Sequence, residues 1–368
     1  MKHDLYIRDF ASAFDTQEKR VAYALRWSVT RAAGYAAVFR NYESVLLDAL
    51  NANVNDADGE KQSGENGQDG QGKDGPPAEH KLREDDVSYS PAALTNNISS
   101  ERATSKANIV SIGGGGGAEL IGLALGLSSS SSSSSSNKPT CVPNLDLNLL
   151  DIADWEAITD TLFSSLHSRT HTLPPSPTTT TTTVPNINAT FQQSDILALS
   201  PSALQATFAG VKVVTIFFTL NELYATSMGG TMSFLLALGD LLDKGAVVWV
   251  VDSPGSYAGV VIGRSEKGVN SVEKEAPKAE REVPTVEEDP STHKKHQPRR
   301  YPMKWLLDHT LLELARQGKD ERKWEKLMDE ESRWFRWEKD EEKAEGLRYH
   351  DEVELEDMRM QMHVYRRI

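Results

Sequence analysis

The hydrophobic positions of the chain follow two patterns, and each pattern predicts a different kind of element. Between residues 105 and 252, short continuous apolar runs alternate with segments whose apolar residues recur every three or four positions. Continuous runs are typical of strands buried in a parallel sheet, and a spacing of three or four residues is typical of helices. The runs are NIVSI, LDLNLL, KVVTIFFTL and AVVWVVD, with a shorter strand near ATFQQSDIL. The pattern predicts an α/β fold with a doubly wound, mostly parallel sheet.

The two ends of the chain also carry the helical period. Residues 5–50 have apolar side chains at helical spacing with arginine and lysine interleaved, which predicts a helical N-terminal region over residues 1–50. Near the other end, PMKWLLDHTLLELARQ predicts a helix and MQMHVYRR predicts a final strand. The charged stretch between them, DERKWEKLMDEESRWFRW (320–337), predicts one more helix, with RWFRW on its packed face.

Four low-complexity stretches interrupt these elements, and none can bury enough apolar surface to offset the entropy of ordering it. They divide the chain into the helical region 1–50, an acidic low-complexity linker at 51–104 and a main domain at 105–368. The main domain is expected to contain disordered insertions near 128–140, 173–185 and 264–300.

Composition restricts the class of function. The formal net charge is −14, which is the wrong sign for a protein that coats nucleic acid by its overall charge, so any RNA contact must be local. The single cysteine excludes an internal disulfide and a cysteine-cluster zinc site, and the nine histidines show no metal-ligand spacing. We expect no metal. With no apolar leader and no run long enough to cross a bilayer, we also expect no membrane contact and an intracellular location.

The glycine run Gly113–Gly117 lies between the first predicted strand and the first predicted helix of the main domain. Glycine permits a sharp turn and a close backbone approach, and a helix N-terminus offers free N–H groups to a ligand. Gly113, Gly115 and Ala118 fit the spacing of dinucleotide binders. Gly113, Gly115 and Gly117 fit the G-x-G-x-G spacing of S-adenosylmethionine (SAM)-dependent methyltransferases equally well. Both cofactors stay open, as does a tight turn without a ligand.

Carboxylates follow the next two predicted strands. Asp151 ends the second strand, where an acidic residue accepts hydrogen bonds from ribose hydroxyls in both cofactor families. Its alternative role is a helix N-cap, for which Asp154 is better placed. Asp195 follows the third strand and is a candidate contact for the adenine amino group, with a turn-forming aspartate as the alternative.

Eight blocks of the chain, in order, are similar to the fungal large-subunit (25S) rRNA uridine-N3 methyltransferase family. They are LYIRDFASAF, AYALRWSVTRAAGYA, IVSIGGGGGAELIGLA, LLDIADW, FFTLNELYATS, VVDSPGSYAGV, YPMKWLLDHTLLE and LEDMRMQMHVYRR. The resemblance implies a Rossmann-like class I methyltransferase fold, SAM as methyl donor and a uridine of ribosomal RNA or of a pre-ribosomal particle as acceptor. The expected location is the nucleus or nucleolus, with the cytoplasm as the alternative.

The resemblance also implies roles for residues of the glycine loop. Gly113, Gly115 and Gly117 would pass beside the methionine and ribose portions of the cofactor, Glu119 would open the first helix as a further cofactor-binding residue, and Asp151 would hold the ribose. Ser111 departs from the pattern, because many methyltransferases have an acidic residue before the first glycine. A contact to the methionine amino group is therefore absent or supplied elsewhere.

Polar residues at the end of the fourth predicted strand are the candidates for catalysis. In FTLNEL, Asn221 could hold the uracil edge and Glu222 could accept the N3 proton, the alternatives being a turn and a surface ion pair. Asp252, Ser253 and Tyr257 in VDSPGSY would form a second edge of the pocket. Local RNA contacts could come from N-terminal basic and aromatic residues: Arg8, Arg20, Arg26, Arg31, Arg40, Tyr6, Phe10, Trp27 and Tyr35.

Three other functions compete with RNA methylation. A NAD-dependent oxidoreductase would use the glycines and Asp151 but leaves the last strand, in LEDMRMQMHVYRR, unexplained. A protein methyltransferase agrees with the acidic composition. A non-catalytic Rossmann-like binding module would keep the fold without the methyl donor.

Overall fold

A seven-stranded sheet forms the centre of the molecule. The computed structural model describes residues 1–6, 9–52, 106–130, 142–172, 182–254, 259–262, 299–316, 321–336 and 356–368. We number the strands of the sheet along the chain: β1 (Lys106–Ile112), β2 (Asn144–Asp151), β3 (Ile187–Gln193), β4 (Val211–Phe217), β5 (Val247–Asp252), β6 (Trp324–Phe335) and β7 (Met358–Arg367).

The strand order is β3-β2-β1-β4-β5-β7-β6. Strands β1 to β5 are parallel, whereas β7 pairs antiparallel with both β5 and β6. The chain builds outward from β1 to β3 and then returns to the other side of β1 with β4. At this reversal the connections after β1 and β4 leave in opposite directions, which opens a crevice at the carboxyl ends of the strands.

Helices cover both faces of the sheet. The N-terminal ones are α1 (Lys2–Tyr6), α2 (Phe10–Ala13), α3 (Gln17–Tyr23), α4 (Val29–Asn41) and α5 (Glu43–Leu50), with a π-helical turn, Ala24–Ser28, before α4. Those of the main domain are α6 (Ala118–Gly126), α7 (Glu156–Thr172), α8 (Pro201–Phe208), α9 (Leu220–Thr226), α10 (Met228–Leu241) and α11 (Met303–Asp308), which a π-helix, His309–Leu314, continues. None of the helices within the described ranges is both long and apolar enough to cross a membrane.

The core has two layers, one on each face of the sheet. On one face, residues of α4, α5, α6 and α7 pack against the strands, with Tyr35 and Phe39 beside Phe217 and Trp249. On the other face, α8 to α11 bury a second apolar cluster. The predicted doubly wound, mostly parallel sheet is therefore confirmed.

Helix α4 makes an unusually close contact with α6 through two glycines of α6. A Cβ atom added at Gly122 would lie 2.8 Å from the Cβ of Tyr35, and one added at Gly126 would lie 2.8 Å from the Cβ of Phe39. The absence of side chains at these positions lets the two helix backbones approach each other. Residues of the N-terminal region thus share one core with the sheet.

The predicted helix over residues 320–337 is wrong, because residues Trp324–Phe335 form strand β6. This strand is at the edge of the sheet, so most of its charged side chains face solvent. Trp324 and Phe335 are buried at its two ends. Its pairing with β7 shifts register between Lys326 and Met328 and again between Glu330 and Arg333. These irregularities interrupt the alternation of buried and exposed residues that identifies a strand in a sequence.

Most of the predicted linker and insertions lie outside the described residues, as do Arg8, Cys141 and Tyr257. The described parts beside the insertions form two short antiparallel ribbons. Ser129–Ser130 pair with Thr182–Thr183, and Gly259–Ile262 pair with Arg299–Pro302.

Candidate active site

A cavity of about 630 Å³ lies at the carboxyl edge of the sheet, beside the reversal of strand order around β1. Its floor is formed by the glycine loop and the ends of β1, β2, β4 and β5, and the N-terminal helices contribute a wall. The sheet topology and the N-terminal packing together therefore enclose one site.

The glycine loop fits its surroundings only because it lacks side chains. Gly113 and Gly117 have φ angles of +75° and +74°, which L-residues with a side chain rarely adopt. A Cβ at Gly113 would lie 2.0 Å from Thr219 Oγ1, and one at Gly115 would lie 2.0 Å from Trp155 Cδ1. The loop borders the cavity through Gly113 and Gly116. The turn is thus packed from several sides, and three of its N–H groups donate within the protein, those of Gly113, Gly115 and Gly117.

The three carboxylates predicted for cofactor binding all line this cavity: Glu119, Asp151 and Asp195. Asp151 accepts hydrogen bonds from the N–H of Gly115 at 3.2 Å and of Ala153 at 3.0 Å, and its burial raises the pKa of the carboxyl. Asp195 is exposed and accepts a hydrogen bond from the Leu197 N–H at 2.9 Å. Asp154 accepts from the Glu156 N–H at the start of α7 instead, so Asp151 is free of the capping role.

The predicted catalytic residues Asn221 and Glu222 also line the cavity, in the first turn of α9 after β4. Asn221 donates to Asp252 twice, from its backbone N–H at 3.1 Å and from Nδ2 at 2.9 Å. Asp252 also accepts from the Ser253 N–H at 2.7 Å. Burial raises the pKa of the Asp252 carboxyl to about 6, and the hydrogen bonds limit the rise. Glu222 lines the cavity next to this pair.

The turn after β4 has strained backbone. Phe218 has a φ of +52°, in the left-handed region that costs a side-chain-bearing residue about 1 kcal/mol or more. Its N–H donates to the Val251 carbonyl at 2.7 Å, which holds the turn against β5. This conformation brings Phe218 and Thr219 to the cavity.

Four aromatic residues form a wall of the cavity, and the sequence indicated only Trp27 of them as a candidate contact. The ring centroids of Phe14 and Trp155 are 5.1 Å apart, those of Phe14 and Tyr23 are 5.0 Å apart, and those of Tyr23 and Trp27 are 5.1 Å apart. The periodicity marks Phe14 and Tyr23 only as helical core positions. Their shared site depends on how α2 and α3 pack over the sheet, which no local pattern specifies.

The N-terminal residues proposed for RNA contact lie in different surroundings. Tyr35 is buried in the core, and Arg20 and Arg40 donate to the carbonyls of Phe14 and Leu125. Arg31 lines the cavity together with Phe10 and Trp27. Tyr6 is exposed, and so is Arg26, which pairs with Glu356.

The charged residues Arg31 and Glu119 also line the cavity. Glu119, in the first turn of α6, is only 3% exposed, and burial raises the pKa of its carboxyl to about 8. Arg31 of α4 donates a hydrogen bond to the Tyr23 hydroxyl. The described ranges contain no group of three or more His, Cys, Asp or Glu residues that could hold a metal ion.

The chain is similar to one curated relative and to solved structures of methyltransferases. A 25S rRNA (uridine(2843)-N(3))-methyltransferase of Saccharomyces cerevisiae is 25% identical over 71% of this chain, and the match spans 59% of that relative's length. A SAM-dependent methyltransferase structure from Methanosarcina mazei aligns with 71% of this chain and 92% of its own, at 10% identity and a TM-score of 0.34. The plantazolicin methyltransferase bound to S-adenosylhomocysteine aligns with 40% of this chain and 39% of its own, at 18% identity and a TM-score of 0.24.

A family model decides between the cofactors that the glycine loop leaves open. The model is described as a SAM-dependent methyltransferase, and it matches residues 1–366, from the N-terminal helices through the last strand. The match therefore covers the glycine loop, the cavity and both ends of the sheet. The chain belongs to this family of SAM-dependent methyltransferases.

Proposed function

We propose that this protein transfers the methyl group of SAM to N3 of a uridine in large-subunit ribosomal RNA. The yeast relative's name supports the acceptor. The observation that carries the proposal is that one cavity joins the glycine loop and Asp151 to the Asn221–Asp252 pair. A methyl donor and a nucleobase must occupy one continuous space, because transfer is a direct displacement between two held groups.

The cofactor side of the cavity has the chemistry that SAM requires. Asp151 is the candidate for the ribose hydroxyls and Asp195 for the adenine amino group, since carboxylate oxygens accept hydrogen bonds from both. Gly113, Gly115 and Gly117 would pass beside the ribose and methionine portions, because the tight turn that they permit brings the loop to the cavity. When bound, the cofactor supplies an electrophilic methyl group on a sulfonium.

The acceptor side must remove the proton from N3 as the new N–C bond forms and the S–C bond breaks. We assign this proton to Asp252, because its position is fixed by three hydrogen bonds and its pKa of about 6 keeps it largely ionised at neutral pH. Asn221 Nδ2 has a second N–H that can donate to a uracil carbonyl. The role of Glu222 as proton acceptor stays a prediction, and variants separate the two carboxylates.

The aromatic wall suits an unpaired base. N3 of uridine is occupied in a Watson–Crick pair, so the target must be unpaired or rotated out of its helix. Phe14, Tyr23 and Trp27 offer ring faces on which such a base can stack. Ribosomal RNA as substrate would also place the protein in the nucleus or nucleolus, where pre-ribosomal particles assemble.

The proposal is tested by incubating the protein with 25S rRNA and SAM carrying a labelled methyl group, then digesting the RNA and identifying the labelled nucleoside by mass spectrometry. We expect N3-methyluridine. Asp252→Asn should lower kcat about 100-fold or more, since that is the usual contribution of a positioned base. Glu222→Gln is the matched comparison, with a smaller effect expected. Label in protein, or in another nucleoside, would contradict the proposal.

A further inference from the structure

Arg31 lines the cavity, and most of its guanidinium N–H groups donate to no residue of the described ranges. Its guanidinium carbon lies 5.3 Å from the ring centroid of Tyr23 and 5.1 Å from that of Phe218, so the group is held between two aromatic faces. It donates to the Tyr23 hydroxyl but forms no salt bridge with any residue of the described ranges. A guanidinium has five N–H donors, so most of them remain available to an anion entering the cavity.

Glu119 is the complementary group. Its side chain is buried beside the same cavity, and among the described residues its carboxyl has no hydrogen-bond donor other than its own backbone N–H. A carboxylate removed from water without a cationic partner is unfavourable, which is why burial raises its pKa to about 8. A cation bound next to Glu119 would favour the ionised form.

The two side chains interact electrostatically without forming an ion pair. Each perturbs the pKa of the other, yet no salt bridge joins them. A purely structural pair of buried charges is stabilised by direct contact with good hydrogen-bond geometry. Both side chains instead line the cavity, Glu119 from the first turn of the helix that follows the glycine loop.

We propose that Arg31 and Glu119 bind the amino-acid end of SAM, with Arg31 on its carboxylate and Glu119 on its ammonium group. The inference rests on the chain's membership of a SAM-dependent family. It also accounts for Ser111, which stands where many methyltransferases have an acid, because Glu119 supplies that acid from the start of α6. The strained Phe218 contributes by holding the guanidinium in place.

The test compares three ligands by calorimetric titration of the whole protein. S-adenosylhomocysteine has both charged groups, its decarboxylated analogue lacks the carboxylate, and 5′-methylthioadenosine lacks the entire amino-acid end. Wild type should bind S-adenosylhomocysteine about 10- to 100-fold more tightly than the decarboxylated analogue, the usual effect of a charge-assisted hydrogen bond. Arg31→Met should reduce this preference to about threefold or less, without weakening 5′-methylthioadenosine.

Glu119→Gln should weaken S-adenosylhomocysteine by a comparable factor and also leave 5′-methylthioadenosine unchanged. Arg40→Met is the matched control on the same helix, because its guanidinium donates to the Leu125 carbonyl and does not line the cavity. We expect this control to behave as wild type. If Arg31→Met folds poorly, Arg31→Lys keeps the charge and should lose part of the preference.

Equal weakening of all three ligands by Arg31→Met and Glu119→Gln would overturn the inference, because it would indicate a general structural role. A full preference for the carboxylate in both Arg31 variants would overturn it as well. Failure of the wild-type protein to bind any of the three ligands would instead refute the cofactor site on which the inference rests. The 5′-methylthioadenosine measurement distinguishes these failures, since it depends on the site but not on Arg31.

Discussion

At the scale of single residues, the packing of the glycine loop requires residues without side chains. Gly115→Ala would place a Cβ 2.0 Å from the ring of the buried Trp155, and overpacking of this kind costs about 1–3 kcal/mol. Gly229 is the matched control, because a Cβ there meets nothing within 4 Å and alanine favours the helix by about 0.5–1 kcal/mol. Urea denaturation should show a loss for the first variant only. Equal stabilities would contradict the packing described for the loop.

The buried carboxyl of Glu119 predicts a pH dependence of stability. Its ordinary pKa is 4.5 and burial raises it to about 8, so the folded protein binds more protons than the unfolded chain between these values. The free energy of unfolding should therefore fall as pH rises through this window, and each unit of raised pKa is worth about 1.4 kcal/mol. Glu119→Gln should flatten this fall.

The measurement is urea denaturation of the empty protein between pH 5 and pH 8.5. Asp252 changes stability in the same direction, but only up to about pH 6, because burial raises its pKa less. Asp252→Asn should therefore flatten the profile only in its acidic part. A Glu119→Gln profile as steep as wild type between pH 6 and 8 would show that Glu119 is not buried as described.

Some site residues could be predicted from the sequence and others could not. Asp151 and Asp195 follow strands, so a parallel sheet brings them to one edge whatever the details of packing. Arg31, Tyr23 and Trp155 reach the cavity only through the packing of segments far apart in the chain. No local pattern encodes that placement, and the sequence offered Arg31 only as one of several possible RNA contacts.

At the scale of elements, the buried strands were predictable and β6 was not. Strands β4 and β5 are covered on both faces and read as continuous apolar runs. Strand β6 is an edge strand with charged residues exposed and two register shifts in its pairing with β7. The alternation of buried and exposed residues along β6 is therefore interrupted, and the spacing of its charged residues resembles that of an exposed helix.

The contact between α4 and α6 gives a prediction at this scale. Gly122→Val would drive a side chain into Tyr35 and toward the Ala32 carbonyl, which is 3.3 Å from the position of an added Cβ. Because backbone cannot move as easily as a flexible side chain, we expect a loss of about 2–3 kcal/mol in the free energy of unfolding.

The control for Gly122→Val is Ile121→Val at the neighbouring, partly buried position, where removal of one methylene should cost about 1 kcal/mol. Urea denaturation at one pH compares the two variants. If Gly122→Val is as stable as its control, α4 does not pack on α6 at this distance. The N-terminal helices would then be a separate unit rather than part of the shared core.

At the scale of the whole molecule, the strand order and the N-terminal helices determine where chemistry can occur. The reversal of strand order around β1 creates a crevice, and α2, α3 and α4 convert it into a cavity by packing over its side. The sequence predicted the sheet and a helical N-terminal region. It could not predict that this region contributes a wall of the site, because that contact joins residues more than a hundred positions apart.

The central claim is that this cavity is the SAM site, and calorimetric titration with S-adenosylhomocysteine tests it most directly. We expect one site in the wild-type protein and a large loss of affinity in Asp151→Ala. Asp146→Ala is the matched control on the same strand, because Asp146 binds Lys106 and Asn188 away from the cavity, and it should bind as wild type does. No binding by the wild type, or unchanged binding by Asp151→Ala, would contradict the account.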